Sequence, residues 1–171
     1  AIARGAEGGM RDAESTLDQL ISFCGQTIQE SDVLSMFGLS ARAQILAMSG
    51  AILAGDANTC LKELNDLAKN GKDLSRLLSD VLSHFRNLLI FQVSKGDLSL
   101  VDVSEAEATT LHEQSADIRG DTLTRILEVL TEAEGRIRDA ASKKIFLELT
   151  FLKAIEARKA VSIDAVLSKL Q

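Results

Sequence analysis

Apolar residues recur along this chain at three- and four-residue steps, the period of an α-helix. The clearest run follows Asp73. Leu74, Leu77, Leu78, Val81, Leu82, Phe85, Leu88 and Leu89 share one side of a helix predicted to end near Lys95-Gly96. Upstream, Ile45, Leu46, Met48, Ile52 and Leu53 predict a helix ending at Gly55. Asp56 can cap the next helix, with Leu61, Leu64 and Leu67 inward and Asn70-Gly71 as its stop. Residues 97–103 read as the longest loop, and Ser104 with Glu107 forms a capping box opening a polar helix to about Ala116. Gly120-Asp121 begins a helix with Leu123, Ile126, Leu127, Leu130 and Ile137 inward. Residues 141–159 break the one-sided pattern. Ile145, Phe146, Leu147, Leu149, Phe151, Leu152 and Ile155 lie on more than one side, so this helix is either central or shared between a core and a partner. Ser162 caps a short last helix carrying Ile163, Val166, Leu167 and Leu170.

The start of the chain is a smaller pattern. Residues 9–24 set Met10, Leu17, Leu20, Ile21 and Cys24 near one face, and Gly25 suits a C-cap. Thr27 and Glu30 match a capping box before Val33, Leu34 and Phe37, and Gly38 closes that piece. The expected organisation is a helical piece over 1–38, a hinge at 39–41 and a helical bundle over 42–171. Composition strengthens the all-α reading. Pro, Trp and Tyr are absent and Phe occurs only 6 times, so the aromatic strands and Pro-marked turns of all-β folds lack their ingredients.

Charge narrows the partners. The net charge is −6, yet residues 136–171 alone carry +4, leaving −10 on residues 1–135. An acidic body makes a poor general DNA binder, whereas complementary ends favour pairing with a neighbouring subunit. Cys24 and Cys60 form no disulfide framework, no signal peptide is visible, and no apolar stretch reaches a membrane span, so a cytoplasmic location is expected. The pattern already looks helical at Ala1, and the chain is expected to be a piece of something longer. It contains no phosphate-binding Gly-Lys-Ser/Thr loop and no Cys-x-x-Cys pair. His84 and His112 have no metal-ligand partner at helical spacing and are expected to be ordinary side chains.

One local pattern carries chemistry. In Gly8-Gly9-Met10-Arg11-Asp12-Ala13-Glu14, a cation stands at the start of a helix, where the backbone dipole favours anions. Arg11 either extends into solvent, pairs with a nearby acid, or meets an anion supplied from outside. In the last case free amides, a Gly pair and a guanidinium would hold a phosphate oxygen.

The stretch Ile2-Ala3-Arg4 … Ala6-Glu7-Gly8-Gly9-Met10-Arg11-Asp12-Ala13 … Leu17-Asp18-Gln19 resembles the lid segment of the bacterial DNA polymerase III gamma/tau subunits. Asp32-Val33-Leu34-Ser35-Met36-Phe37-Gly38 is similar to that family's Asp-Val-x-x-Met-x-Gly. Gly55-Asp56, Leu64 to Asp73 and the Leu-Glu-Leu at Leu147–Leu149 follow in the family's order. Gly9 departs from the usual Ser, and Glu14 from a frequent Leu, but the arginine stays.

The family consists of AAA+ clamp-loader ATPases. The resemblance implies that 1–38 is part of a lid domain, that 42–171 is an oligomerising collar, and that Arg11 is the sensor-two arginine reaching the γ-phosphate of ATP. The parent would use ATP and Mg and take part in DNA replication as a subunit of a DNA-directed DNA polymerase, a nucleotidyltransferase. Its ATPase core would meet the sliding clamp and primed DNA, and without that core this piece should neither bind ATP tightly nor hydrolyse it, with no cofactor expected of its own. This piece should be no enzyme alone. It should bind other loader subunits through the collar and associate with itself weakly or not at all. The alternatives are a freestanding helical protein–protein interaction module without nucleotide chemistry, and a helical-bundle enzyme with a buried polar site.

Overall fold

A computed structural model describes residues 39–101, 103–116 and 118–159 of the chain. Among them are six α-helices, two short 3₁₀ turns and no strand. The helices are α1 (Leu39–Ala54), α2 (Ala57–Lys69), α3 (Leu74–Val93), α4 (Glu105–Ala116), α5 (Gly120–Arg136) and α6 (Lys143–Lys159). The all-α expectation therefore holds. By internal contacts the chain divides into units 1–44 and 45–171, and the described residues lie in the second apart from the start of α1. The hinge expected at 39–41 falls in the first turn of α1. The helices expected before it, and the last one from Ser162, lie outside the described residues.

Punctuation follows local chemistry. Asp56 Oδ1 accepts the Thr59 amide at 3.1 Å, and Asp73 Oδ1 accepts those of Ser75 at 2.9 Å and Arg76 at 3.3 Å, so both helix starts are capped as read. The Thr59 hydroxyl and amide hold the Asp56 carboxyl below its ordinary value, and the Arg76 and Ser75 amides do the same for Asp73. The Ser104–Glu107 box closes in both directions: Glu107 accepts the Ser104 amide at 2.8 Å, and Ser104 Oγ accepts the Glu107 amide at 3.4 Å. At the end of α3 the Gly96 amide returns to the Phe91 carbonyl at 2.8 Å, which places Gly96 at φ 92, a conformation glycine adopts without a Cβ clash. The loop after it differs from expectation. Asp97 caps a 3₁₀ turn over Leu98–Leu100 by accepting the Ser99 amide at 2.9 Å.

The core gathers Met48 and Ile52 of α1, Leu64 of α2, Leu78, Phe85 and Leu88 of α3, Leu111 of α4, Leu123, Ile126 and Leu130 of α5, and Leu147 and Phe151 of α6. Two details differ from the periodic reading. Cys60 replaces Leu61 in the core, because α2 turns its Cys60–Leu64–Leu67 side inward and Leu61 stands one residue, about 100°, round the helix. Ile137 is buried, but in the 3₁₀ turn after α5 rather than within that helix.

Polar bonds tie the helices at both ends. Ser79 Oγ donates to Glu134 Oε1 at 2.6 Å, joining the start of α3 to the end of α5. Gln92 Nε2 donates to the carbonyls of Ser115 (3.2 Å) and Ile118, holding the α4–α5 connection against the end of α3.

Burial pushes the Cys60 thiol up to about 12, with the Asp56 carboxylate adding to it. Cys60 should therefore resist a thiol reagent at pH 8 in the folded protein and react once denaturant is added. The unfolded thiol ionises near pH 8.5 while the folded one does not, so the Cys60 contribution is full below that pH and declines as pH rises toward 12. Thiol titration of a Cys24→Ser variant measures the first effect; fast labelling without denaturant would contradict it.

Candidate subunit interface

α6 is held from both ends before it offers anything outward. Ser142 Oγ accepts the Ile145 amide at 3.4 Å at its start. Lys144 Nζ donates to Asn65 Oδ1 of α2 at 2.9 Å and lies 3.7 Å from Glu148. Near its end Arg125 Nε of α5 donates to the Ala157 carbonyl at 3.2 Å, occupying one of the acceptors a helix C-terminus leaves open. The same guanidinium reaches Asp121 at 3.3 Å and Thr122 Oγ1 at 3.2 Å. Leu147, Thr150, Phe151, Ala154 and Ile155 point inward, against α2, α3 and α5.

That inward stripe leaves two large apolar residues outside. Ile145 is 58% exposed and Leu149 56%, four residues apart and so one above the other on the outer face. Phe146 and Leu152 are half-buried beside them. The helix is therefore not buried all round: one side packs in the core and the other is open to water. Covering the exposed halves of Ile145 and Leu149 would contribute about 1 kcal/mol each. Basic side chains flank the stripe. Lys143 and Lys153 are exposed, and Lys153 has no ion-pair partner among the described residues.

The other site readings divide. Arg11 lies outside the described residues. His84 is buried, with Nε2 2.7 Å from Gln114 Oε1, and its ring meets Phe85 edge-on. His112 is exposed and stands edge-on to Phe91. Both are structural side chains that join α3 to α4. An open groove between the start of α3 and the end of α5 is crossed by the Ser79–Glu134 bond, with Arg76 3.9 Å from Asp80 at its mouth. No group of three or more His, Cys, Asp or Glu is placed to hold a metal ion among the described residues. No described helix is long and apolar enough to cross a membrane.

Sequence reading missed a second apolar patch. Val93 is 75% exposed, Leu100 56% and Leu98 43%, at the end of α3 and in the 3₁₀ turn after it. The signal was there in Leu98 and Leu100, apolar residues within a segment read only as a loop, and in Val93 just before it.

The family model described as DNA polymerase III subunits gamma and tau domain III matches residues 28–170. The DNA polymerase III subunit tau of Bacillus subtilis is 29% identical over 178 residues, covering 99% of this chain and 31% of that protein. The DNA polymerase III subunit gamma/tau of Mycobacterium tuberculosis is 28% identical over 176 residues, covering 99% of this chain and 30% of that protein. The chain thus spans about a third of the length of these relatives. In fold it is similar to the Bacillus subtilis DNA clamp loader delta protein, with a TM-score of 0.64 at 18% identity, over 91% of this chain and 49% of that one.

Proposed function

The chain belongs to the family of DNA polymerase III subunits gamma and tau, domain III, and from that membership we propose that it is the collar of a clamp-loader subunit. Its task is to hold loader subunits together during sliding-clamp loading in bacterial DNA replication, in the cytoplasm. The observation that carries this reading is the outward pair Ile145 and Leu149 on a helix anchored at both ends. A rigid apolar stripe beside lysines is a surface for another protein. A freestanding interaction module would use the same stripe. Family membership favours the collar.

The whole protein would bind ATP and Mg through an ATPase core preceding this region, and that core would meet the sliding clamp and primed DNA. In such a protein residues 1–38 serve as the end of the lid, and Arg11 meets the γ-phosphate of bound ATP. A guanidinium there stabilises charge that develops during hydrolysis and couples nucleotide state to lid angle. In the full-length protein, Arg11→Ala is expected to cut ATP hydrolysis by about tenfold or more, with little change in thermal stability. Steady-state ATPase assays of the assembled loader measure this; unchanged turnover removes the sensor role and leaves the collar reading standing.

A further inference from the structure

A cleft of about 510 Å³ opens where the end of α1, the α4–α5 connection, the start of α5 and the end of α6 come together. It uses neither Ile145 nor Leu149. Its apolar lining comes from Leu53, Ala54 and Ile118. Gly50 keeps it open, because a Cβ there would stand 3.5 Å from Gln114 Nε2 and a larger side chain would fill the space. A cleft of this size and mixed lining suits a small organic molecule.

Its polar groups suit an anion. The Arg158 guanidinium lies across Gly55, 3.2 Å from where a Cβ would stand, and forms no ion pair among the described residues. The helix dipole alone favours a cation in this last turn of α6, yet Lys159 already supplies one and is held by Glu156 at 2.9 Å. Gln114 adds a donor of fixed direction. The buried His84 ring donates from Nε2 to Gln114 Oε1 at 2.7 Å, which leaves Gln114 Nε2 beside Gly50 in the cleft lining, with no acceptor among the described residues. Arg119 lines the cleft too, 3.0 Å from Asp121, and α5 begins there with no side chain capping its first turn. The positive end of that helix adds to the same field. Against two arginines the described lining sets one acid, Glu113.

We propose that this cleft binds a small organic oxyanion, a carboxylate or a phosphate monoester. Its charged head meets Arg158 and Gln114, and its apolar body lies on Leu53, Ala54 and Ile118. His84 acts as a positioning residue through Gln114. The site is separate from the outward stripe of α6, so its failure leaves the collar reading standing.

Nuclear magnetic resonance titration of the ¹⁵N-labelled 171-residue chain tests it. Benzoate and phenyl phosphate share a ring and differ in the head, and inorganic phosphate is the head without a body. The tighter of the two ring probes identifies the head. It should bind with a dissociation constant of about 1 mM, as expected of so small a molecule, and shift the signals of Gly50 and Gln114. Arg158→Gln should weaken it by about tenfold, the loss of one charge-assisted hydrogen bond. Lys159→Gln, one residue on and outside the lining, should leave it within about twofold. Both positions are exposed, and circular dichroism confirms that each variant keeps the helical fold. Absence of binding by both ring probes overturns the site. So does inorganic phosphate binding as tightly as the better ring probe, unchanged affinity in Arg158→Gln, or an equal loss in Lys159→Gln.

Discussion

Phe151→Ala is expected to lower the free energy of unfolding by about 3–5 kcal/mol. Phe151 is wholly buried on the inner face of α6, in the same core as Leu147, Phe85 and Leu123. Removing the ring forfeits its transfer free energy. It also leaves a cavity that the surrounding helices, tied by Ser79–Glu134 and Arg125–Ala157, cannot readily collapse. The chain has no Trp or Tyr, so urea unfolding is followed by the helical circular dichroism signal. Leu149→Ala on the opposite face is the control and should change stability by less than about 1 kcal/mol. Equal losses at the two positions would mean that α6 is buried all round.

The double substitution Ile145→Glu with Leu149→Glu should do the reverse. Glutamate is a better helix former than isoleucine, and neither site is in the core, so the fold should persist. Binding to loader subunits should weaken by at least about thirtyfold, the loss that removing a single central contact of about 2 kcal/mol produces. The added negative charge would also oppose any acidic surface that the Lys153 flank attracts. Fluorescence anisotropy with a labelled chain reads the affinity. Unchanged binding by a folded double variant would remove α6 from the interface.

Much of the bundle is legible in the residues because its signals are local. Asp56, Asp73 and the Ser104–Glu107 pair cap helices by hydrogen bonds spanning two or three residues, so spacing alone reveals them. The stripe from Leu74 to Leu89 is visible for the same reason. What periodicity misses depends on tertiary packing. Cys60 enters the core as a small apolar group, although cysteine is first read for its chemistry. The two-sided pattern of α6 announces surplus apolar surface, but only packing shows that Leu147 and Phe151 go in while Ile145 and Leu149 stay out. Leu98 and Leu100 belong to a turn, where no period marks a face. Arg11 is legible from the residues only as a cation in an unfavourable place, and the role proposed for it depends on a nucleotide that another domain would hold.

The collar account is tested most directly by sedimentation velocity of the labelled 171-residue chain, alone and with the remaining clamp-loader subunits. Sedimentation near 18.4 kDa when alone, and a shift into a larger complex when those subunits are added, is the predicted result. A chain that stays at its own mass with every loader subunit present would contradict it.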